Sequence, residues 1–183
     1  MSNDARFEAF VLEYQDMVFA VAVRLLGNPA EAEDVAQTVF LKAFERFDEI
    51  AASPARAGWL KTVTTNACLN HLARYRSRWR LFSELPHEGG ETGDVMERFD
   101  ALTAAGTDAE AAIVDAELQE QLERALQSLP DHQRVPLVLF HFEDKSYQEI
   151  AALTGVSLAK IKTDIHRGRD VLRKVLSGVH RSA

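Results

Sequence analysis

Lys162, His166, Arg169 and Arg173 follow one another at intervals of four, three and four residues, so a helix through them lines them along one side. Thr163, Arg167 and Lys174 flank that row, and Lys160 precedes it. Cations at this spacing neutralise phosphates, and imidazole, hydroxyl and guanidinium groups can hydrogen-bond to base edges. A second row, Trp59, Thr62, Asn66, Asn70 and Arg74, has an aromatic face, two amides and a terminal cation. Such a surface suits unstacked bases, which offer a π face and a Watson-Crick edge. A third, Asp34, Gln37, Thr38, Leu41 and Glu45, is polar around one leucine on the side opposite an apolar stripe, and suggests a protein contact. None of these sets has the form of a catalytic triad. The chain has no P-loop, nucleophile elbow, HExxH motif or paired cysteine ligands, so we expect no enzyme, catalytic residue, cofactor or metal site. Cys68 and His71 form a lone Cys-x-x-His, which reads as a half-buried thiol beside an ordinary histidine.

The elements that must position these rows are helices. Ser146 and Glu149 have capping-box spacing, Ile150, Ala151 and Leu153 give the following helix its apolar side, and Gly155 can end it in the left-handed region. Ser157 caps the next helix two residues later. A connection that short makes the helices cross steeply, as in a helix-turn-helix whose second member enters the major groove. Ile161, Ile165, Gly168, Leu172 and Val175 form the expected buried stripe of that second helix. Upstream, Phe7, Val11, Tyr14, Val18, Ala22 and Leu25 mark a first helix stopped at Gly27. Asn28 and Pro29 start another, with Ala32, Val35, Ala36, Val39, Phe40, Ala43, Phe44 and Phe47 inward. Residues 51 to 58 read as an exposed loop, and a third long helix is expected from about Trp59 to Trp79. SLPD at 128 to 131 breaks a helix resuming near Asp108, VPLVLFHF begins a short helix, and Pro136 should kink or tighten its first turn.

Charge divides the 183-residue chain more sharply than hydropathy does. Residues 1–80 are neutral overall, residues 81–123 carry −11 and residues 124–183 carry +4, giving the net −7. Residues 83–108 combine carboxylates with Pro86 and four glycines and cannot pack a core. The fold class expected is therefore all-α: two helical domains, 1–80 and 111–183, joined by an acidic flexible linker, 81–110. The linker's carboxylates would compete with phosphate for the basic reader and weaken DNA binding by the free chain. The single cysteine, a polar N-terminus and the lack of any apolar run near the roughly 20 residues of a membrane span predict a soluble cytoplasmic protein with no membrane insertion.

Both halves resemble one family, the bacterial sigma factors of RNA polymerase, in their small extracytoplasmic-function group. NPAEAEDVAQTVFLKAFERF and WLKTVTTNACLNHLARYRSR look like parts of sigma region 2, and ALQSLPDHQRVPLVLFHFEDKSYQEIAALTGVSLAKIKTDIHRGRDVLRKVL looks like region 4. The resemblance implies an alternative sigma factor that binds core RNA polymerase and directs initiation at promoter DNA. Asp34, Gln37, Thr38 and Leu41 would dock on the polymerase. Trp59, Thr62, Asn66, Asn70 and Arg74 would take the −10 element with a flipped base. Lys160, Lys162, Thr163, His166, Arg167, Arg169 and Arg173 would read the −35 element. An anti-sigma factor is implied as a further partner. Thr38 stands where the family usually has glutamate, and Asp164 where it often has a basic residue. Asp164 on the DNA side would repel phosphate, so arginine there would tighten binding. The alternatives are a LuxR-like two-domain regulator that does not replace sigma and a helical adaptor binding protein only. The polymerase-type face around Leu41 and the Asn66 helix argue against the regulator.

Overall fold

In the computed structural model the described residues are 3–75 and 111–179, and they form helices joined by short turns with no strand among them. Eight helices are described: α1 Asn3–Leu26, α2 Pro29–Glu45, α3 Phe47–Ala52, α4 Arg56–Tyr75, α5 Ala111–Ser128, α6 Asp131–His141, α7 Tyr147–Thr154 and α8 Leu158–Val179. The chain divides into two compact units, Met1–Trp79 and Arg80–Ala183. The expected linker, the arginines beyond Tyr75 and the end of the expected third helix lie outside the described residues.

In the first unit α1, α2 and α4 pack against one another in pairs. Gly27, at φ 65°, ends α1, and the Asn28 side chain accepts from the amides of Ala30 and Glu31 at 3.0 and 3.3 Å. Two orphan donors of α2 are thus satisfied, with Pro29 in the first turn, where its missing amide costs nothing. Val18, Ala22 and Leu25 of α1 are buried, as are Ala32, Val35, Val39 and Ala43 of α2 and Leu60, Cys68 and Leu72 of α4. Phe47 closes one end of this core, with its ring edge-on to Phe7 and Phe10 at centroid distances of 5.1 and 5.5 Å. The segment read as a loop over 51–58 is mostly helical. Ala51 and Ala52 finish α3, and α4 already includes Arg56 and Gly58, leaving Ser53, Pro54 and Ala55 as the connection. Alanine favours helix, and the break falls at Pro54, whose ring disfavours helical geometry at Ser53.

In the second unit α8 lies against α5, α6 and α7. Leu122, Leu126, Leu129, Val135, Leu137, Val138, Leu139, Ile150, Ile161, Ile165 and Leu172 form its core. Arg134 is buried too. Its guanidinium donates to the Leu129 carbonyl at 2.6 Å and pairs with Asp131, which ties the turn before α6 to the first turn of that helix. Pro136 supplies no amide, yet α6 runs through it to His141. At Gly168 the second unit's helices approach closely, since a Cβ there would stand 2.9 Å from Leu137 Cδ1 of α6. Val175, expected in the buried stripe, is instead 42% exposed, because the apolar arc of α8 turns away from its neighbours over the last turns.

Candidate nucleic-acid and polymerase interfaces

The helix-turn-helix is built as its sequence specifies. The Glu149 amide donates to Ser146 Oγ at 3.2 Å while the Ser146 amide donates to Glu149 Oε2 at 2.8 Å. The Ser146 amide, and after it the Ser146 hydroxyl, hold the Glu149 carboxyl below its ordinary range. Gly155 ends α7 at φ 68° and ψ 21°, and the Ser157 carbonyl accepts from the Ile161 amide at 3.0 Å in the first turn of α8.

The basic row of α8 does not face outward as a block. Lys162 and Lys174 are exposed, and Thr163, His166, Arg167 and Arg173 are half-buried. Thr163 Oγ1 donates to the Ala159 carbonyl at 3.0 Å. Lys160 Nζ lies 2.6 Å from Asp164 Oδ2, and Asp164 is only 2% exposed. This corrects the expectation of a phosphate-repelling carboxylate on the DNA side: Asp164 falls between Ile161 and Gly168 on the buried arc, where Lys160 is its partner. Arg169 is turned inward as well. Its Nε donates to His141 Nε2 at 3.3 Å, and its guanidinium lies 5.4 Å from the centroid of Phe140, whose ring stacks on Tyr147 at 4.8 Å. Arg169 thus ties the middle of α8 to the C-terminal end of α6.

Burial pushes His141 down to about 4, and the neighbouring Arg169 charge acts in the same direction. A neutral ring is what lets Nε2 accept from the guanidinium. The unfolded chain takes up a proton on this histidine near 6.5, the folded chain only near 4. Between these values the unfolded state holds more protons, so stability is lost on acidification through that window and the ring adds no pH dependence above it. His132, also lowered by burial, contributes with the same sign. We expect the melting temperature of the second unit to fall as pH drops from 6.5 towards 4, and His141→Gln to flatten that fall. Equal pH profiles for the two proteins in thermal melts would contradict this linkage.

In the first unit Trp59 and Thr62 line a pocket of about 420 Å³ with Arg46, Glu49, Ile50, Ser53, Ala55, Arg56 and Gly58. The Arg56 Nε donates to the Tyr14 hydroxyl at 2.8 Å, fixing α4 against α1 at the pocket's edge. The Thr62 hydroxyl donates to the Gly58 carbonyl at 2.9 Å. Asn66, Asn70 and Arg74 are exposed further along α4 and do not line the pocket. Arg46 escaped the sequence reading because it reaches this pocket from the junction of α2 and α3, and Arg56, one turn before Trp59, because its position was read as loop and not as the start of α4.

On α2, Asp34, Gln37, Thr38 and Leu41 are all exposed, with Leu41 at 67%. The Thr38 hydroxyl donates to the Asp34 carbonyl at 3.0 Å and so is spent on its own helix. Beside this face α1 and α2 leave an open groove of about 720 Å³, lined by Phe7, Val11, Phe19, Phe40, Leu41 and Phe44 among others. Phe44 had been expected inward but is 49% exposed at the groove. It stays in contact with the core through Phe7, at a centroid distance of 4.9 Å. His71 Nε2 lies 3.3 Å from Glu31, and Cys68 is buried. No described helix is long and apolar enough to cross a membrane.

Two family descriptions match the chain: Sigma-70 region 2 over residues 10–78 and Sigma-70, region 4 over residues 119–172. The chain is similar to "ECF RNA polymerase sigma factor SigW" of Bacillus subtilis, 31% identical over 89% of this chain and 84% of that protein. It is 34% identical to "ECF RNA polymerase sigma factor SigE" of Mycolicibacterium smegmatis, over 93% of this chain and 62% of that protein. It is 28% identical to "RNA polymerase sigma-H factor" of Pseudomonas aeruginosa, over 97% of this chain and 89% of that protein. The first region covers the helices that form the Trp59 pocket and the Leu41 groove, the second covers the helix-turn-helix, and on both counts the chain belongs to the extracytoplasmic-function group of RNA polymerase sigma factors.

Proposed function

We propose a division of labour in which residues 1–80 hold core RNA polymerase and the −10 element, residues 111–183 hold the −35 element, and residues 81–110 connect them. The observation that carries this is the pairing of an exposed apolar groove at Leu41 with an aromatic pocket at Trp59 in one unit and a capped helix-turn-helix in the other. Leu41 and Phe44 enter the polymerase contact, framed by Asp34, Gln37 and Thr38. Trp59 gives an unstacked base its platform, with Thr62 beside it, and Asn66, Asn70 and Arg74 continue along α4 for the following nucleotides. On α8 the direct contacts to DNA come from Lys162, Thr163, His166 and Arg167. Lys160 and Arg169 act through the placement of α8, held as they are by Asp164 and His141. The chain works by binding and not as an enzyme, in the cytoplasm where polymerase and genome are. An anti-sigma factor covering the Leu41 groove is the partner that would hold it inactive.

Run-off transcription with purified core polymerase and fragmented genomic DNA tests this directly. Start sites sharing two upstream elements at fixed spacing are expected, and no transcription above that of core alone would overturn it. In the same system Trp59→Ala should lower open-complex formation by about tenfold, the stacking of one base, while changing closed-complex binding far less. Permanganate footprints equal to wild type would remove Trp59 from the base pocket.

A further inference from the structure

On α8 the Asp170 carboxylate stands between two side chains of the basic row. Its Oδ2 is 3.1 Å from His166 Nδ1, and its Oδ1 accepts from an Arg173 guanidinium nitrogen at 2.9 Å. All three side chains are about one third exposed, at 34%, 36% and 32% for His166, Asp170 and Arg173. The imidazole is therefore packed and held at Nδ1 by the carboxylate instead of rotating freely in solvent. An ionised carboxylate only accepts hydrogen bonds, so its contact with Nδ1 places the ring proton on that atom. In the neutral ring the other nitrogen, Nε2, is then an acceptor, and the hydrogen bond made by one ring nitrogen decides the chemistry of the other.

In the major groove the donors are the exocyclic amines, N6 of adenine and N4 of cytosine, whereas guanine offers only the acceptors N7 and O6. We infer that Asp170 is a specificity-determining positioning residue: it fixes His166 in the form whose Nε2 accepts, so that His166 reads an exocyclic amine at one base pair of the −35 element. The inference rests on the reading of α8 as the −35 helix. Arg173, held on the other oxygen, braces the carboxylate and prevents it from turning away from the ring.

Two steps test this with holoenzyme reconstituted from the full chain and core polymerase. Transcription from a promoter library randomised in the upstream element identifies the base pair whose preference disappears in His166→Ala. Templates are then made with single-atom changes at that pair: the adenine or cytosine without its exocyclic amine, or the purine with N7 replaced by carbon. Removing the amine should lower wild-type initiation roughly two- to tenfold, the range of one hydrogen bond, and replacing N7 should change it little. The amine effect should vanish in Asp170→Ala. It should persist in Asp170→Asn, whose amide oxygen still accepts from Nδ1–H, and preferences at the other positions should be kept in both variants, which shows that the helix is intact. Sensitivity to N7 in place of the amine, an amine effect surviving in Asp170→Ala, its loss in Asp170→Asn, or no base pair depending on His166 would each overturn the inference. A wild-type holoenzyme indifferent to the whole upstream element would bring down the −35 reading of α8 as well, a result distinct from all of these.

Discussion

Asp164→Arg is expected to destabilise the helix-turn-helix unit by about 3–5 kcal/mol, the cost of breaking a buried ion pair and leaving its partner uncompensated. Asp164 is 2% exposed, and its carboxylate lies 2.6 Å from Lys160 Nζ. The variant would bury a guanidinium beside that ammonium with no carboxylate on either. Domains of this size are stable by only about 5–15 kcal/mol, so the melting temperature should drop by more than about 10 °C. Asp164→Asn, which keeps the shape and an acceptor oxygen but not the charge, should lose less. Circular dichroism melts of the full chain decide the matter. An unchanged melting temperature together with tighter DNA binding by Asp164→Arg would mean that this carboxylate faces the duplex after all.

Leu41→Asp should have the opposite profile, leaving the fold intact and abolishing assembly. Leu41 is 67% exposed in the free chain, and exposed substitutions usually alter stability by less than about 0.5 kcal/mol. In a complex that buries this side chain, the lost apolar transfer is about 1.5–3 kcal/mol, and desolvating the new carboxylate adds to it. The affinity for core polymerase should therefore fall about a hundredfold or more. Fluorescence titration of labelled chain with core polymerase reads this, and wild-type affinity would displace the polymerase contact from the Leu41 groove.

What the sequence made legible was local. The Asn28 cap, the Ser146–Glu149 box and the Gly155 turn depend on residues within a few positions of one another, and each appears in place. The apolar row of α2 was equally readable at Ala32, Val35, Val39 and Ala43, whereas Ala36, Phe40 and Phe44 line the open groove beside α1. Asp164 is a different case, because its signal was present. It lies three residues after Ile161 and four before Gly168, inside the arc already identified as buried, with a lysine one turn earlier to neutralise it. The resemblance to a family that often has a basic residue at this position points instead to the DNA side. Arg169 could not have been placed, since its partner His141 is 28 residues away and meets it only through the crossing of α6 and α8. The Trp59 pocket depends likewise on α3, whose last two residues, Ala51 and Ala52, fall in the stretch that read as loop.

On α8 Lys160 is engaged within the protein by Asp164, Arg169 by His141 and Arg173 by Asp170. Sequence-independent adhesion to duplex DNA grows with each phosphate neutralised, because each releases condensed counterions. A helix that keeps several of its cations at home gains little from this and gives up little when salt rises. Chromosomal DNA, with its enormous excess of irrelevant sites, is then a poor sink for the free chain. Molecules released from one round of initiation stay in circulation, where the next unoccupied polymerase can find them.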